Sequence, residues 1–352
     1  NGSVTADTAL KVVSNVAGKN FIGGVIGCNG SEGHVKNYTY SGGYVSGINF
    51  VGGFVGANLS TALFESNINS NPNSITGTYY VGGVIGGNFL SETATSTFNT
   101  DNFLGSIEAT AFAGGYIGLN ALTADASESR NLMATLAAVT DQDINVSVRA
   151  VDYACSDVSG SGYTFTINGT TSGTSNTFSG ITAEVYVAGV IGYNAESSRV
   201  TMSYITNKAP INATASLIVA ELDDDEDNQD PYNNNEAKTY SYAGGIVGKC
   251  TAYMTIDHCS ATSDGRTVSQ GTYTGGLVEV NEGQIEECKA TGIGAGGQNY
   301  IGGVVGLNKS AGIVYKCDFG TVENAEENKV TVTGSNIVGG IVAENFGKIN
   351  GS

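Results

Sequence analysis

The chain has 352 residues, with 15 Lys and Arg against 33 Asp and Glu, which gives a formal net charge of −18. This charge repels phosphate backbones and anionic lipid surfaces, so we expect no nucleic-acid partner. There is no run of about 18 apolar residues, and we expect no membrane insertion of this segment. The 51 Gly and 3 Pro, with abundant Asn, Thr, Val and Tyr, favour many short strands joined by tight turns over a helical protein.

A nine-residue phrase recurs nine times along the chain. It consists of an aromatic residue, a small apolar residue, Gly-Gly, two apolar residues, usually Gly, a variable residue and Asn. Self-similarity at a spacing of about 30 residues is typical of stacked units that bury their apolar faces against each other. The phrase occupies Phe21–Asn29, Phe50–Asn58, Tyr80–Asn88, Phe112–Asn120, Tyr186–Asn194, Tyr242–Cys250, Tyr273–Asn281, Tyr300–Asn308 and Ile337–Asn345.

The phrase and its turn residues predict an all-β protein, an elongated parallel β-helix or β-solenoid with about three short strands per coil of about 30 residues. We expect a single domain over residues 1–352. The register predicts four columns along the stack: aromatic rings, Gly pairs, core Val and Ile, and Asn amides that bond each other and the corner backbone. Each Gly pair provides either a positive φ or room for close approach of another sheet. For the Asn column a structural role is favoured over a binding role.

Regular coils are predicted over residues 1–120 and 242–352, and the interval between them is longer. Gly114 and Ala188 are 74 residues apart, and Ala188 and Gly244 are 56 apart. Each interval is about two coils long, so we predict degenerate coils with insertions over 121–185 and 195–241. The additional turns are assigned to segments that include 144–157 and 215–230. The stretch 131–139 has a helix-like composition and is predicted to form a short helix that caps or protrudes from the first interval.

An acidic run over residues 223–230 has the chemistry of a loop. Clustered carboxylates are ligands that calcium prefers, but the ordered spacing and the Gly of a calcium loop are missing. A solvated protruding loop is favoured, and calcium binding is the alternative.

Three of the six cysteines, Cys259, Cys288 and Cys317, lie 29 residues apart in matching phrases. Stacked residues have parallel Cα–Cβ vectors about 4.8 Å apart, which is awkward for disulfide geometry. We predict buried free thiols in one column, with a bridge or a metal site as the alternative. Cys28, Cys155 and Cys250 have no obvious partners.

Catalytic chemistry has few candidates in this sequence. No cluster on neighbouring turns joins either histidine, His34 or His258, to a Ser or Cys nucleophile with an orienting acid. Cys259 directly follows His258, but adjacent strand residues point to opposite faces, so these two side chains should not face one another. No HExxH or paired CxxC motif is present. We therefore predict no catalytic, cofactor-binding or metal-binding residues, no cofactor and no enzymatic activity in this segment. Sequons for glycosylation occur at Asn29, Asn37, Asn58, Asn168 and Asn212.

Neither end of the chain shows a polar cap, and the last residues, 347–352, fall in mid-coil. The chain also opens without a charged and apolar leader. We expect either a fragment of a longer chain or a filament subunit whose ends stack head-to-tail on other copies.

The stretches YTGGLVEVNEGQIEECKATG from Tyr273 and YIGGVVGLNKSAGIVYKC from Tyr300 closely resemble GLUG-motif repeats, which are named for a Gly-Leu-any-Gly core. These repeats occur in large bacterial surface and secreted proteins, including adhesin-like proteins and proteins to which IgA-peptidase activity is ascribed. The match covers most of the chain and is strongest over 242–345. The resemblance implies a bacterial protein located outside the cell or on its surface.

Together these features predict a non-catalytic structural or adhesive β-solenoid that acts as a stalk, an adhesin segment or a fibre component. Expected partners are further copies of the chain and a host or cell-surface protein or glycan. The alternative is the repeat domain of a secreted peptidase or polysaccharide-active hydrolase whose catalysis lies mostly outside this segment.

Overall fold

A computed structural model describes residues 10–12, 14–36, 38–61, 64–65, 69–97, 105–138, 163–169, 174–196, 198–214, 241–262, 267–291, 294–320 and 330–352. The paired strands are parallel, and in the described ranges they stack as nine coils. The predicted parallel β-solenoid is therefore confirmed. The coil is more finely divided than the three strands expected, because four or five short strands form one turn.

The first three coils contain only strands in their described residues. In chain order these are β1 (Leu10–Val12), β2 (Val16–Ala17), β3 (Asn20–Gly23), β4 (Ile26–Asn29), β5 (Val35–Lys36), β6 (Tyr38–Ser41), β7 (Tyr44–Ser46), β8 (Asn49–Gly52), β9 (Val55–Asn58), β10 (Phe64–Glu65), β11 (Asn69–Asn71), β12 (Ser74–Gly77), β13 (Tyr80–Gly82), β14 (Ile85–Leu90) and β15 (Ala94–Thr97).

The middle coils carry the described helix. They contain β16 (Ser106–Ala109), β17 (Phe112–Gly114), β18 (Ile117–Leu122), α1 (Ala126–Ala137), β19 (Thr164–Asn168), β20 (Thr174–Asn176), β21 (Gly180–Ala183), β22 (Tyr186–Ala188), β23 (Ile191–Asn194), β24 (Arg199–Ser203), β25 (Ile205–Asn207), β26 (Ile211–Ala213), β27 (Tyr242–Gly244), β28 (Val247–Cys250), β29 (Met254–Asp257) and β30 (Ser260–Thr262).

The last three coils contain the two longest strands, β31 and β35, of nine residues each. The elements are β31 (Thr267–Gly275), β32 (Val278–Asn281), β33 (Gln284–Glu286), β34 (Lys289–Thr291), β35 (Gly294–Gly302), β36 (Val305–Asn308), β37 (Ile313–Tyr315), β38 (Asp318–Gly320), β39 (Val332–Thr333), β40 (Ile337–Gly339), β41 (Val342–Asn345) and β42 (Lys348–Asn350).

Equivalent strands of successive coils form the sheets. The first two strands of a coil belong to a 16-stranded sheet, the third to a 9-stranded sheet, the fourth to a 7-stranded sheet and the fifth to a 5-stranded sheet, while small sheets of three and two strands complete the upstream coils. The 16-stranded sheet consists of two rows that merge at β31 and β35, because each of these strands runs through both rows. Pairing is continuous from β3 to β40.

Among the described strands, no further coil stands in the stack across either long interval, so the predicted extra turns are wrong. Phe112 pairs directly with Tyr186, and Tyr186 pairs directly with Tyr242. The first insertion leaves the stack between β18 and β19, and the second leaves it between β26 and β27. Closing a longer loop costs only slightly more, so an insertion at a corner is tolerated without loss of register. The segments 144–157 and 215–230 lie outside the described residues.

The aromatic column is confirmed. Ring centroids of neighbouring coils are 4.4–5.7 Å apart from Phe21 to Tyr300, with planes within 16° of parallel. Ile337 continues the register in the last coil. The rings do not join the inner core, which is built from Val, Ile and other apolar residues such as Val51 and Val55. They form a second, outer core with residues such as Ala57 and Phe89.

Helix α1 covers part of this outer core. Its N-cap Asp125 accepts hydrogen bonds from the backbone N–H groups of Ser127 at 2.7 Å and Glu128 at 3.0 Å, which sets the start of the helix five residues before the predicted stretch. Leu132 and Leu136 are buried against the aromatic column. The predicted helix is thus confirmed, but it lies along the side of the solenoid.

The Asn column is also confirmed as a ladder of buried amides. The Nδ2 group of each Asn donates to Oδ1 of the Asn in the next coil, at 2.8–3.0 Å from Asn29 to Asn194 and at 2.7–2.8 Å from Asn281 to Asn345. The amides also bond the corner backbone, as Asn58 does with both groups of Ser60. In the next coil Cys250 occupies the Asn position, and the adjacent Thr251 provides the acceptor instead: Asn194 Nδ2 donates to the Thr251 hydroxyl at 3.0 Å.

In six coils the second glycine of the phrase is required by the close approach of the next coil. A Cβ built on Gly245 would overlap the carbonyl oxygen of Gly276 and would lie 2.8 Å from the Ala261 methyl group. Backbone does not yield to such a contact as a flexible side chain would. The same overlap with the next coil's carbonyl recurs at Gly24, Gly83, Gly189, Gly276 and Gly303.

This geometry predicts opposite outcomes for two Gly→Ala substitutions. Gly245→Ala should lower the free energy of unfolding by at least about 2 kcal/mol, because the coils must separate to admit the methyl group. Gly180→Ala, at the first residue of β21 where a Cβ meets nothing within 4 Å, should change it by no more than about 1 kcal/mol. Urea titration followed by circular dichroism measures both, and equal effects would contradict the assignment.

Candidate functional site

The described residues bring one set of charged and aromatic side chains together on the surface. Four residues at the corner between the 7-stranded and 5-stranded sheets share a left-handed backbone, with φ between 48° and 57°. The register places them on successive coils. We call this set the corner column; it consists of Tyr204, His258, Glu287 and Lys316.

Side chains of the corner column contact each other along the stack. The His258 ring lies 5.1 Å from the Tyr204 ring, and its Nε2 is 3.0 Å from a Glu287 carboxylate oxygen. The other Glu287 oxygen accepts from Lys316 Nζ at 3.2 Å. His258 Nδ1 lies 2.7 Å from Asp257. Both ring nitrogens of the histidine are therefore held by carboxylates.

Electrostatics in the corner column follow from these pairs. The hydrogen bond and charge of Lys316 hold the pKa of Glu287 below its usual value, with a smaller contribution from His258. The bond to Glu287 raises the pKa of Lys316 in turn. Since the side chains of His258, Glu287 and Lys316 are 40–53% exposed, these pairs contribute little to stability. The corner column therefore forms a ridge of exposed charged and aromatic side chains.

An exposed tyrosine lies at the other end of the fourth strand from the corner column. Tyr253 is 52% exposed, and the Arg199 guanidinium lies 4.8 Å from its ring centroid. Tyr253 and Tyr204 stand near opposite ends of the fourth strands of their coils, so the outward threonines Thr201 and Thr255 lie between them. This arrangement offers aromatic, hydroxyl and charged groups on one face, the kinds of group that hold sugars and polar peptides.

His258 does not face the thiol of its neighbour Cys259. Cys259 is buried while His258 is exposed, which confirms that the two face opposite ways. His34 is exposed on the loop between β4 and β5 in the first coil.

The predicted thiol column is confirmed. Cys259, Cys288 and Cys317 are free and no more than 1% exposed. The backbone N–H of Cys259 lies 3.3 Å from the Cys288 sulfur, and Cys288 Sγ donates to the Glu286 carbonyl at 3.1 Å. Burial raises the pKa of the Cys288 thiol, and a hydrogen bond with Cys288 together with burial raises that of Cys317. Cys250 is buried and free, Cys28 is free and exposed, and Cys155 lies outside the described residues.

The remaining predicted features lie partly within and partly outside the described residues. Asn29 and Asn58 are at most 5% exposed and engaged in the amide ladder, so their sequons are inaccessible in the folded protein. Asn37 and the acidic run 223–230 lie outside the described residues. Within the described ranges no three His, Cys, Asp or Glu side chains are grouped so as to hold a metal ion. No helix in those ranges has the length and apolar character that crossing a membrane requires.

The sequence did not predict the corner column, because its four residues differ in charge and in side-chain type. The sequence did contain a sign of their common position, since His258, Glu287 and Lys316 each precede a cysteine of the aligned phrases.

Comparison with family models, with characterised proteins and with solved structures finds no match to this chain. The resemblance to GLUG-motif repeats accordingly stays a prediction.

The thiol column predicts a graded reaction with iodoacetamide at pH 8. In the folded protein Cys28 should be alkylated, while Cys259, Cys288 and Cys317 should stay unmodified because the reagent attacks exposed thiolates. In urea without reductant all four should react. Peptide mass spectrometry measures each site, and a column cysteine that resists alkylation in urea until reductant is added would reveal a disulfide.

Proposed function

We propose that this chain is a non-catalytic structural and adhesive β-solenoid of the extracellular space or of a bacterial cell surface, acting as a stalk, an adhesin segment or a fibre component. The observation that carries the proposal is that the repeated side chains contact one another from coil to coil. Rings, amides and glycines recur because each contacts its counterpart in the next coil. A repeat used in this way builds a long, stable body.

Two further features support a role outside the cell. A net charge of −18 keeps an extended surface soluble and discourages aggregation. The resemblance to GLUG-motif repeats points to the same location. We assign adhesion to the face that carries the corner column and Tyr253, with a glycan or a cell-surface protein as the partner. Exposed aromatic rings flanked by hydroxyls and charges supply both contact area and hydrogen bonds for such a partner.

A second candidate function, head-to-tail assembly, is favoured by the polarity of the amide ladder. The ladder bonds run one way, so Asn345 faces downstream as a donor and Asn29 faces upstream as an acceptor. The last coil also exposes Val338, Phe346 and Ile349, at 41–61%. A first coil of another copy offers strands of matching register, such as β3 and β4, to cover this face.

The purified chain can be used to test both the adhesive role and head-to-tail assembly. Beads coated with the chain should bind a glycan array or cultured cells, and Tyr253→Ala should reduce binding at least about fivefold, since an interface aromatic contributes about 1 kcal/mol or more. The matched control Tyr44→Ala removes a ring that is 44% exposed on a different sheet, and it should bind normally. Equal loss in both variants would contradict the assigned face.

The same protein should release no products from peptide or polysaccharide substrates, and turnover would support the hydrolase alternative. Electron microscopy of the concentrated chain should show fibres that Phe346→Asp abolishes. Single rods at every concentration would contradict head-to-tail assembly while leaving the adhesive role intact.

A further inference from the structure

One coil places an acidic side chain where the others have none. At the seventh position of the phrase seven coils have Gly and one has Ala343, but the coil that begins at Tyr273 has Glu279. Its side chain is completely buried, and neither carboxylate oxygen has a hydrogen-bond partner. An ionised carboxylate without partners is strongly disfavoured in such a place, so the buried group holds its proton.

The surroundings of Glu279 offer one charge. The titratable side chains on the neighbouring elements are Tyr242 on β27, Lys249 and Cys250 on β28, and Tyr273 on β31, while β36 carries none. Of these, Lys249 acts electrostatically on the carboxyl group, in the direction that lowers its pKa, but burial outweighs it and the pKa is raised. Lys249 is itself committed to an ion pair with Glu196. Lys249 therefore lowers the pKa of Glu279 by less than burial raises it.

The same junction between coils is weakened in a second, independent way. The amide ladder is interrupted between β28 and β32, because Cys250 occupies the Asn position and Asn194 ends on Thr251. The Thr274 hydroxyl, one strand before Glu279, is also buried without a partner. Among the described residues this junction thus combines a broken ladder with unpartnered polar atoms.

We propose that Glu279 makes the junction between the coils that begin at Tyr242 and Tyr273 a proton-dependent latch. The closed stack keeps the carboxyl group neutral, and the open junction lets it ionise in water. Opening exposes the backbone N–H and C=O groups along the edges of β28 and β32. This is a local property of the stack and does not depend on the adhesive role.

The direction of the pH dependence follows from the raised pKa. An acid that is harder to ionise in the closed state gives full stability below its ordinary pKa, near 4.5, and loses it as the pH rises toward the pKa of the closed state. Because one proton is released on opening, the opening equilibrium constant increases tenfold for each pH unit in that range.

Hydrogen exchange followed by mass spectrometry at pH 5, 6, 7 and 8 tests the latch. In the wild type the opening constant for peptides of 247–250 and 278–281 should rise up to tenfold per pH unit relative to Glu279→Gln, which carries no titrating group. The comparison at each pH cancels the intrinsic exchange rate. Peptides of β9, in the second coil, should give the same ratio at every pH.

Two further variants keep the test decisive. Glu279→Gly restores the residue common to this column and should match Glu279→Gln in its flat profile, so it replaces that variant if the amide does not fold. Glu282→Gln changes a partly exposed acid paired with Lys309 and should keep the wild-type profile. Parallel profiles for wild type and Glu279→Gln would overturn the proposal, as would a slope that Glu282→Gln removes.

Discussion

The close approach of successive coils at the second glycine of the phrase is the constraint on which the other contacts depend. Since the carbonyl of the next coil occupies the place of a side chain, a register slip that moved the following apolar residue to this position would bring a Cβ into that space. The register fixed in this way brings rings within 4.4–5.7 Å of each other and Asn amides within 2.7–3.0 Å. These ladders then add stability to a register that sterics already select.

The phrase supports two cores on opposite sides of one backbone layer. Val51 and Val55 point into the solenoid, while Phe50 and Ala57 point into an outer groove that α1 partly fills. Because the outer core needs cover and the inner core does not, an insertion at a corner becomes useful to the fold. The first insertion supplies Leu132 and Leu136 to that groove without disturbing the pairing of Phe112 with Tyr186.

The sequence predicted the columns well, because residues at one position of a stack share one environment and therefore one chemistry. It failed where different chemistry fills the same position, as with Tyr204, His258, Glu287 and Lys316, whose common property is a left-handed backbone. It also could not separate an extra coil from an insertion, since both have the same length. The burial of Glu279 was hidden because the other coils have Gly or Ala at this position, so the repeat did not indicate where a longer side chain would lie.

Within the register that the glycines select, the Asn amides hold each coil to the next. Side-chain amide hydrogen exchange, followed by nuclear magnetic resonance in the intact chain, tests this claim most directly. The NH2 groups of Asn58, Asn88 and Asn120 should exchange as slowly as the backbone amides of their strands, since each donates to the next coil. Exchange at the rate of the exposed Asn350 side chain would contradict the ladder and with it this account of the stack.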